Sequence, residues 1–350
     1  MKKPMLILLA CVFILCGQEK RPVKDDVGYC WQRPQMQRLL DCLAAGEKQD
    51  FPAQDMVAGI SPHDDYLYAG RVYYPLFKKL QTKEVVIFGV THGTVRKEID
   101  DPQNILLLDE YATWSGLGRE VTISPLREWL KQRLPREDYS VSNQAHALEH
   151  SIEAMIPFLQ YLNPEIKITP IMVTAMPFER MEELSERLAA ILAGYMKENN
   201  LHPGKDIFFL ISADANHYGK DFNNVPFGED ENAHQQGTAQ DERFAQAAFS
   251  GPLNSKKIQD LTQALWGATY LNYGNTYWCG KYDIPFGLLT ISKTMRKALG
   301  RGLNGRVFRY ADTYSDGVIP LKKSGLGITA PFSLKHWVGF FSAGFYLDKQ

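Results

Sequence analysis

The sequence predicts an α/β sandwich built on a mixed sheet, and three observations predict it. Short β-branched or apolar runs alternate with longer stretches whose apolar residues recur near every 3.6 positions. The last two strand-like runs follow each other with no helix between them, which parallel pairing alone does not allow. The composition is that of a chain with a large core: 350 residues, 45% apolar, 12% aromatic and 23% charged.

In order, residues 56–61 (MVAGIS) read as a short buried strand and residues 71–80 as a helix. Residues 84–90 (EVVIFGV) form a β-branched strand, and residues 104–109 form another. Residues 125–134 and 149–162 read as helices, the second from Ile152, Met155, Ile156 and Leu159. A strand over 166–173 leads to a long helix over 178–199, then a strand over 206–212 (DIFFLIS). The polar stretch 219–241 is expected to be a long loop, a lid or rim. Helices at 239–249, 256–265 and 285–299 follow, with final strands at 305–314 and 338–346. No repeat, low-complexity tract or linker divides the body.

The amino terminus reads differently. Lys2 and Lys3 precede an apolar stretch from Met5 to Leu15, the pattern of an export signal. Both Leu-Leu-Ala-Cys11 and Ile-Leu-Cys16-Gly resemble bacterial lipoprotein processing sites, and Cys16 leaves the more ordinary apolar length and a polar start after it. The expected organisation is a signal peptide over 1–16, a polar tether over 17–26 and one domain over 27–350. The expected location is outside the cytoplasm, lipid-anchored to a bacterial membrane. An uncleaved anchor helix is the other reading of the same stretch. Formal net charge is −1, so no basic excess exists to neutralise phosphates, and nucleic acid is not an expected partner. Beyond the amino terminus no apolar run reaches the roughly 18 residues of a membrane span.

Two of the five cysteines belong to the signal. Cys30 and Cys42 could pair in an oxidising compartment, a link worth about 3 kcal/mol in the chain-entropy model. Leu39, Leu40, Cys42 and Leu43 equally look like the inner side of a helix, with both thiols as small apolar groups. Cys279 is left over and needs its own explanation.

Open α/β sheets place ligands beyond the carboxyl ends of their strands. Three expected strands run into Ser61-Pro62-His63-Asp64-Asp65-Tyr66, Thr91-His92-Gly93 and Ser212-Ala213-Asp214-Ala215-Asn216-His217-Tyr218. Such turns on parallel neighbours point at one crevice, and neutral imidazoles suit iron, copper or zinc. Cys279 sits in Tyr277-Trp278-Cys279-Gly280-Lys281, just before a helix; that helix start and the lysine are expected to lower the thiol pKa. Alone, it reads as a buried apolar residue. His146 and His150, four apart, would share a helix face, with Glu149 and Glu153 on another; capping and support of neighbouring ligands is the plainer reading. Ser212, Asp214 and His217 lie too close in sequence for a hydrolase triad, and no G-x-S-x-G elbow exists.

Five segments, in order, are similar to motifs of the Memo-like proteins, also called AmmeMemoRadiSam system protein B. They are S-P-H-D-D-Y-x-Y-A-G from Ser61, F-G-V-T-H-G at 88–93, A-H-x-x-E-H-S-I-E-x-x-x-P-F-L at 145–159, S-A-D-x-x-H-Y at 212–218 and W-C-G at 278–280. The resemblance covers roughly residues 27–347. It implies a three-layer αβα sandwich like that of the LigB-type non-haem-iron extradiol dioxygenases. It also implies a metal-capable pocket of His63, His92 and Cys279, with Asp214 and His217 beside them. Asp64 and Asp65 replace a small Ala-Gly pair and would add two carboxylates at the rim. Iron(II) is the expected metal, with copper or zinc as alternatives; His217 with Asp214 or His150 would move protons. A thiolate in place of a carboxylate argues against ring cleavage. The reading from a different class is a non-catalytic module that uses the cleft, with Tyr66, Tyr68, Tyr218, Tyr277 and Trp278 near it, to bind a peptide or small molecule.

Overall fold

The computed structural model describes residues 19–48, 51, 54–271 and 277–349. The expected signal, with Cys11 and Cys16, lies outside the described residues. Among those described, the strands are β1 (Lys20–Arg21), β2 (Met56–Ser61), β3 (Glu84–Val90), β4 (Leu106–Leu108), β5 (Thr113–Trp114), β6 (Val121–Ile123), β7 (Tyr139–Val141), β8 (Lys167–Val173), β9 (Ile207–Ser212), β10 (His217–Gly219), β11 (Gly251–Pro252), β12 (Leu303–Asp312) and β13 (His336–Leu347). The helices are α1 (Arg33–Gly46), α2 (Tyr66–Phe77), α3 (Gly93–Glu98), α4 (Leu126–Arg133), α5 (Asn143–Leu148), α6 (Ile156–Leu162), α7 (Phe178–Glu198), α8 (Glu231–Phe249), α9 (Ser255–Trp266) and α10 (Asp283–Leu299).

The main sheet runs in the order β1-β5-β6-β8-β3-β9-β2-β13-β12-β11. Strands β6, β8, β3, β9 and β2 are parallel, while β13 pairs antiparallel with β2 and β12 antiparallel with β13. The sheet is therefore mixed, as expected from late strands joined without a helix.

Its central strands are apolar on both faces, because both faces are covered. Along β3, Val86 and Phe88 pack with α4, α7, α9 and α10, whereas Val85 and Ile87 pack with α1, α2 and α6. In β9, Phe209 and Ile211 take the first side and Phe208 and Leu210 the second. The result is a three-layer αβα sandwich with a core on each side of the sheet. The parallel neighbours β3, β9 and β2 end together, Ser212 lying in register with both Ser61 and Gly89. The loops after them open on one edge, which is where the site forms.

Three expectations need correction. Lys20–Arg21 is not tether: it pairs with β5, and the Arg21 side chain is fully buried. The helix expected over 149–162 starts only at Ile156, because the Glu149 carboxylate accepts N–H groups of His92, His150 and Ser151 and wraps the chain around itself. The stretch 219–241 is not one loop, since α8 begins at Glu231, capped by Asp230, whose side chain accepts the Ala233 N–H at 2.8 Å. Of the two readings of Cys30 and Cys42, the structure has the unpaired one, with Cys30 buried and Cys42 half-buried.

Candidate metal centre

The first donor is His63, two residues past β2 and almost completely buried. Its N–H donates to Asp214 Oδ1 at 2.9 Å, and its ring Nδ1 lies 3.1 Å from Ser212 Oγ. Ser212 spends its own hydroxyl proton on Ser151 O at 2.6 Å, so Nδ1 is the protonated nitrogen. That leaves the lone pair on Nε2, which points at Cys279 Sγ (3.5 Å) and Asp214 Oδ2 (3.3 Å).

His92 follows β3 and precedes α3. Its Nδ1 lies 2.8 Å from Glu149 Oε1, and its N–H donates to Glu149 Oε2 at 3.0 Å. A carboxylate on Nδ1 fixes the tautomer and frees Nε2, the arrangement metal-binding histidines use. His150 stacks on His92, ring centroids 4.8 Å apart and planes within 8°. The three imidazoles of His63, His92 and His150 sit with centroids 4.8–5.4 Å apart. Gly89 explains why His150 can come so close: a Cβ there would lie 2.5 Å from Ile152 Cγ1.

Cys279 reaches the site from the other side of the sheet order. Trp278 bridges to Asn216, and His217 N–H donates to Tyr277 O at 2.8 Å, so this segment is clipped to the loop after β9. Asp214 N–H donates to Cys279 Sγ at 3.1 Å. At Gly280 a Cβ would stand 2.3 Å from Ala213 Cβ; only glycine lets the two loops meet. Beneath them Asp241 of α8 accepts from Trp278 Nε1 (3.0 Å), Tyr310 OH (2.8 Å) and Asn216 N–H (3.3 Å).

One nitrogen or sulfur from each of His63, His92 and Cys279 lies within 4.8 Å of the others, as do the donors of His92, Glu149 and His150, and those of Asp214, His217 and Cys279. The structure thus brings together His63, His92, Cys279, Asp214, His217 and His150. His146 is not among them. It lies on α5, bonds Leu107 O through Nε2 at 3.0 Å and faces Trp114, because the helix ends before His150. Asp65 also turns away from the rim, its carboxylate accepting from Thr329 N–H and Oγ1–H. Of the five aromatics, Trp278 lines the cleft beside the site, whereas Tyr66 packs on Tyr29, Tyr73 and Phe158, and Tyr218 stacks on Trp337.

The electrostatics follow burial. Desolvation holds His63 well below its usual pKa and puts His150 and His217 at about 4, so all three imidazoles are neutral near pH 7. His92 is the exception: burial opposes its charge, but the Glu149 carboxylate outweighs that and raises it. The Cys279 thiol does not follow the sequence expectation. Burial, then the Asp214 and Asp283 carboxylates, push it well above its ordinary value, against the pull of the Asp214 N–H. Bringing a cation to Sγ would reverse that balance.

The family model described as Memo-like protein matches residues 29–314. The chain belongs to the Memo-like family. A MEMO1 family protein of Saccharolobus islandicus is 27% identical over 238 residues, covering 63% of this chain and 70% of that protein. One from Aquifex aeolicus is 26% identical over 202 residues (57% and 67%), and one from Metallosphaera sedula 30% over 177 residues (45% and 52%). The Memo-like segments quoted from the sequence are the ones that build the site here: each supplies at least one of the side chains or close-approach glycines just described.

Sequence reasoning missed three contributors. Arg21 carried no signal inside a polar run, Asp241 none inside a polar helix, and Arg96 was not singled out. Glu149 was noticed but placed on the wrong local structure.

Proposed function

We propose that this Memo-like chain is an exported, lipid-anchored metalloprotein. It would use a transition metal, iron(II) first and copper or zinc as alternatives, for redox chemistry related to that of the LigB-type dioxygenases. The observation that carries the reading is the convergence of His63, His92 and Cys279, the first and last of them 216 residues apart in sequence, with donor atoms within 4.8 Å. Those three side chains would hold the metal, and three protein ligands would leave a position open. Iron(II) there would supply electrons and a place for O2 or a substrate oxygen. Glu149 orients the His92 ring, Ser212 that of His63, and the Asp214 N–H steadies the sulfur. Asp214, His150 and His217, at the edge of the cluster, would hold or move a proton.

The test is metal stoichiometry and O2 consumption after purification under reducing, anaerobic conditions, since a thiolate ligand oxidises readily. Wild-type protein is expected to carry one transition metal per chain. Cys279→Ser should lose most of it and any O2-linked activity while keeping its circular dichroism, because volume is preserved and the soft anionic ligand is not. Wild-type protein that takes up no transition metal sinks the metalloprotein reading. The anchor rests on Lys2, Lys3, the apolar stretch and Cys16; mass spectrometry of the N-terminal peptide from the native host tests it, and an unmodified Met1 overturns it.

A further inference from the structure

The two sides of the three donors differ in their polar residues. On the side of β2 and β9 lie Asp64 and Asp214, whose carboxyls burial pushes up, that of Asp214 to about 7. On the side of α3 and the Cys279 segment lies a cleft of about 310 Å³ that opens directly on His92 and Cys279. Its charged lining is Arg96, Lys97 and Lys281 against one carboxylate, Asp101, whose Oδ1 lies 3.4 Å from Arg96 Nε. Lys281 is only 6% exposed, so its ammonium belongs to the wall of the cleft rather than to the outer surface. Positive charge held in a partly dry concavity concentrates its field there far more than the same charge on an open surface. Val90 and Trp278 give the cleft an apolar side. The volume is at the small end of the usual range for ligand pockets.

We propose that this cleft binds the anionic group, a carboxylate or a phosphate, of a small organic molecule whose remainder lies against the donor cluster. The inference deepens the metal-centre reading by naming the substrate class, and it rests on that reading for the molecule's fate. Arg96 and Lys281 bind the anion: a guanidinium offers paired N–H donors to a planar or tetrahedral oxyanion, and the ammonium adds a point charge. Lys97, at the mouth, steers it in. The side chains supply orientation and selectivity; they take no part in bond making.

The experiment is calorimetric titration of the full-length, metal-free, reduced protein with inorganic phosphate, benzoate and benzamide. Benzoate and phosphate should bind, and benzamide, the uncharged analogue, should bind at least ~10-fold more weakly. Tighter benzoate assigns a carboxylate, tighter phosphate a phosphoryl group. Lys281→Met, which keeps the buried stem, and Arg96→Gln should each weaken anion binding ~10-fold. The exposed Lys97→Gln is expected to weaken it about 2- to 3-fold, with a flatter salt dependence. Should Lys281→Met fail to fold, Arg96→Gln and Lys97→Gln decide the matter. Equal binding of benzamide and benzoate overturns the proposal. So does anion affinity unchanged in folded Arg96→Gln, or no anion binding up to about 10 mM. Anion binding by a protein that takes up no metal would sink the metal reading and leave this one standing; metal uptake with no anion binding does the reverse.

Discussion

Two loops complete the donor cluster, and they are held from beneath by opposite chemistry. The Glu149–His150 loop rests on an ion pair. Arg21, fully buried, pairs with Glu153, donates from Nε to His146 O at 2.9 Å and from Nη2 to Glu149 O, and lies over Trp114 with its guanidinium carbon 4.5 Å from the ring centroid. Glu153 in turn accepts the Lys24 and Asp25 N–H groups. The Cys279 loop rests instead on Asp241, one carboxylate among neutral donors with no ion-pair partner among the described residues. The first support is locked by charge: burial lowers the Arg21 pKa only to about 10, so the guanidinium keeps its proton near neutral pH. The second depends on one proton. A site can therefore be rigid on one side and pH-sensitive on the other, although both supports are equally buried.

The largest effect should come from breaking the charge lock. Arg21→Met leaves the Glu153 carboxylate buried without its cation and is expected to cost about 3–5 kcal/mol. Urea unfolding measures it. Adding Glu153→Gln should recover part of the loss, since the stranded charge is then gone; a double variant as unstable as the sum of the singles would show that the pair is not coupled.

One step closer to the ligands, Glu149→Gln keeps the shape of the loop but weakens the hold on His92 Nδ1. Metal affinity is expected to fall roughly 10- to 100-fold, less than for Cys279→Ser. Competition with a chelator reads the change. Unchanged affinity would mean that His92 needs no carboxylate to present Nε2, and the two loops would then differ in stability alone.

How much of this was legible in the sequence depended on whether the signal was local. The run EVVIFGV needs no partner to be read as a strand buried on both faces, and β3 sits where it was expected. His63 and His92 were legible because each follows such a strand. Cys279 was legible only through its Memo-like segment, since its neighbours in space, Asp214 and His63, are 65 and 216 residues away. Residues 149–155 misled: the apolar spacing of Ile152, Met155 and Ile156 is helical, but three N–H groups gathered on one buried carboxylate outweigh a few helical hydrogen bonds. Arg21 and Asp241 could not be read at all. Each is a single polar residue in a polar stretch, and its meaning comes from partners more than 20 positions distant.

The smallest effect tests the proton-dependent support. Burial pushes the Asp241 carboxyl up to about 7, against the pull of its donors, whereas in the unfolded chain it returns to about 3.9. Between those values the folded protein holds one proton more than the unfolded chain. The stabilisation from this group is complete below pH ~4 and is lost as pH rises toward ~7, with a slope of at most about 1.4 kcal/mol per pH unit. Asp241→Asn has no proton to lose, and its amide oxygen still accepts from Trp278 or Tyr310. Subtracting its urea-derived stability from that of wild type across this range should leave a curve that falls with pH and flattens above about 7. A flat difference would mean that Asp241 is ionised throughout. Its donors would then outweigh its burial, the Cys279 loop would be held by fixed charge like its counterpart, and the contrast between the two supports would disappear.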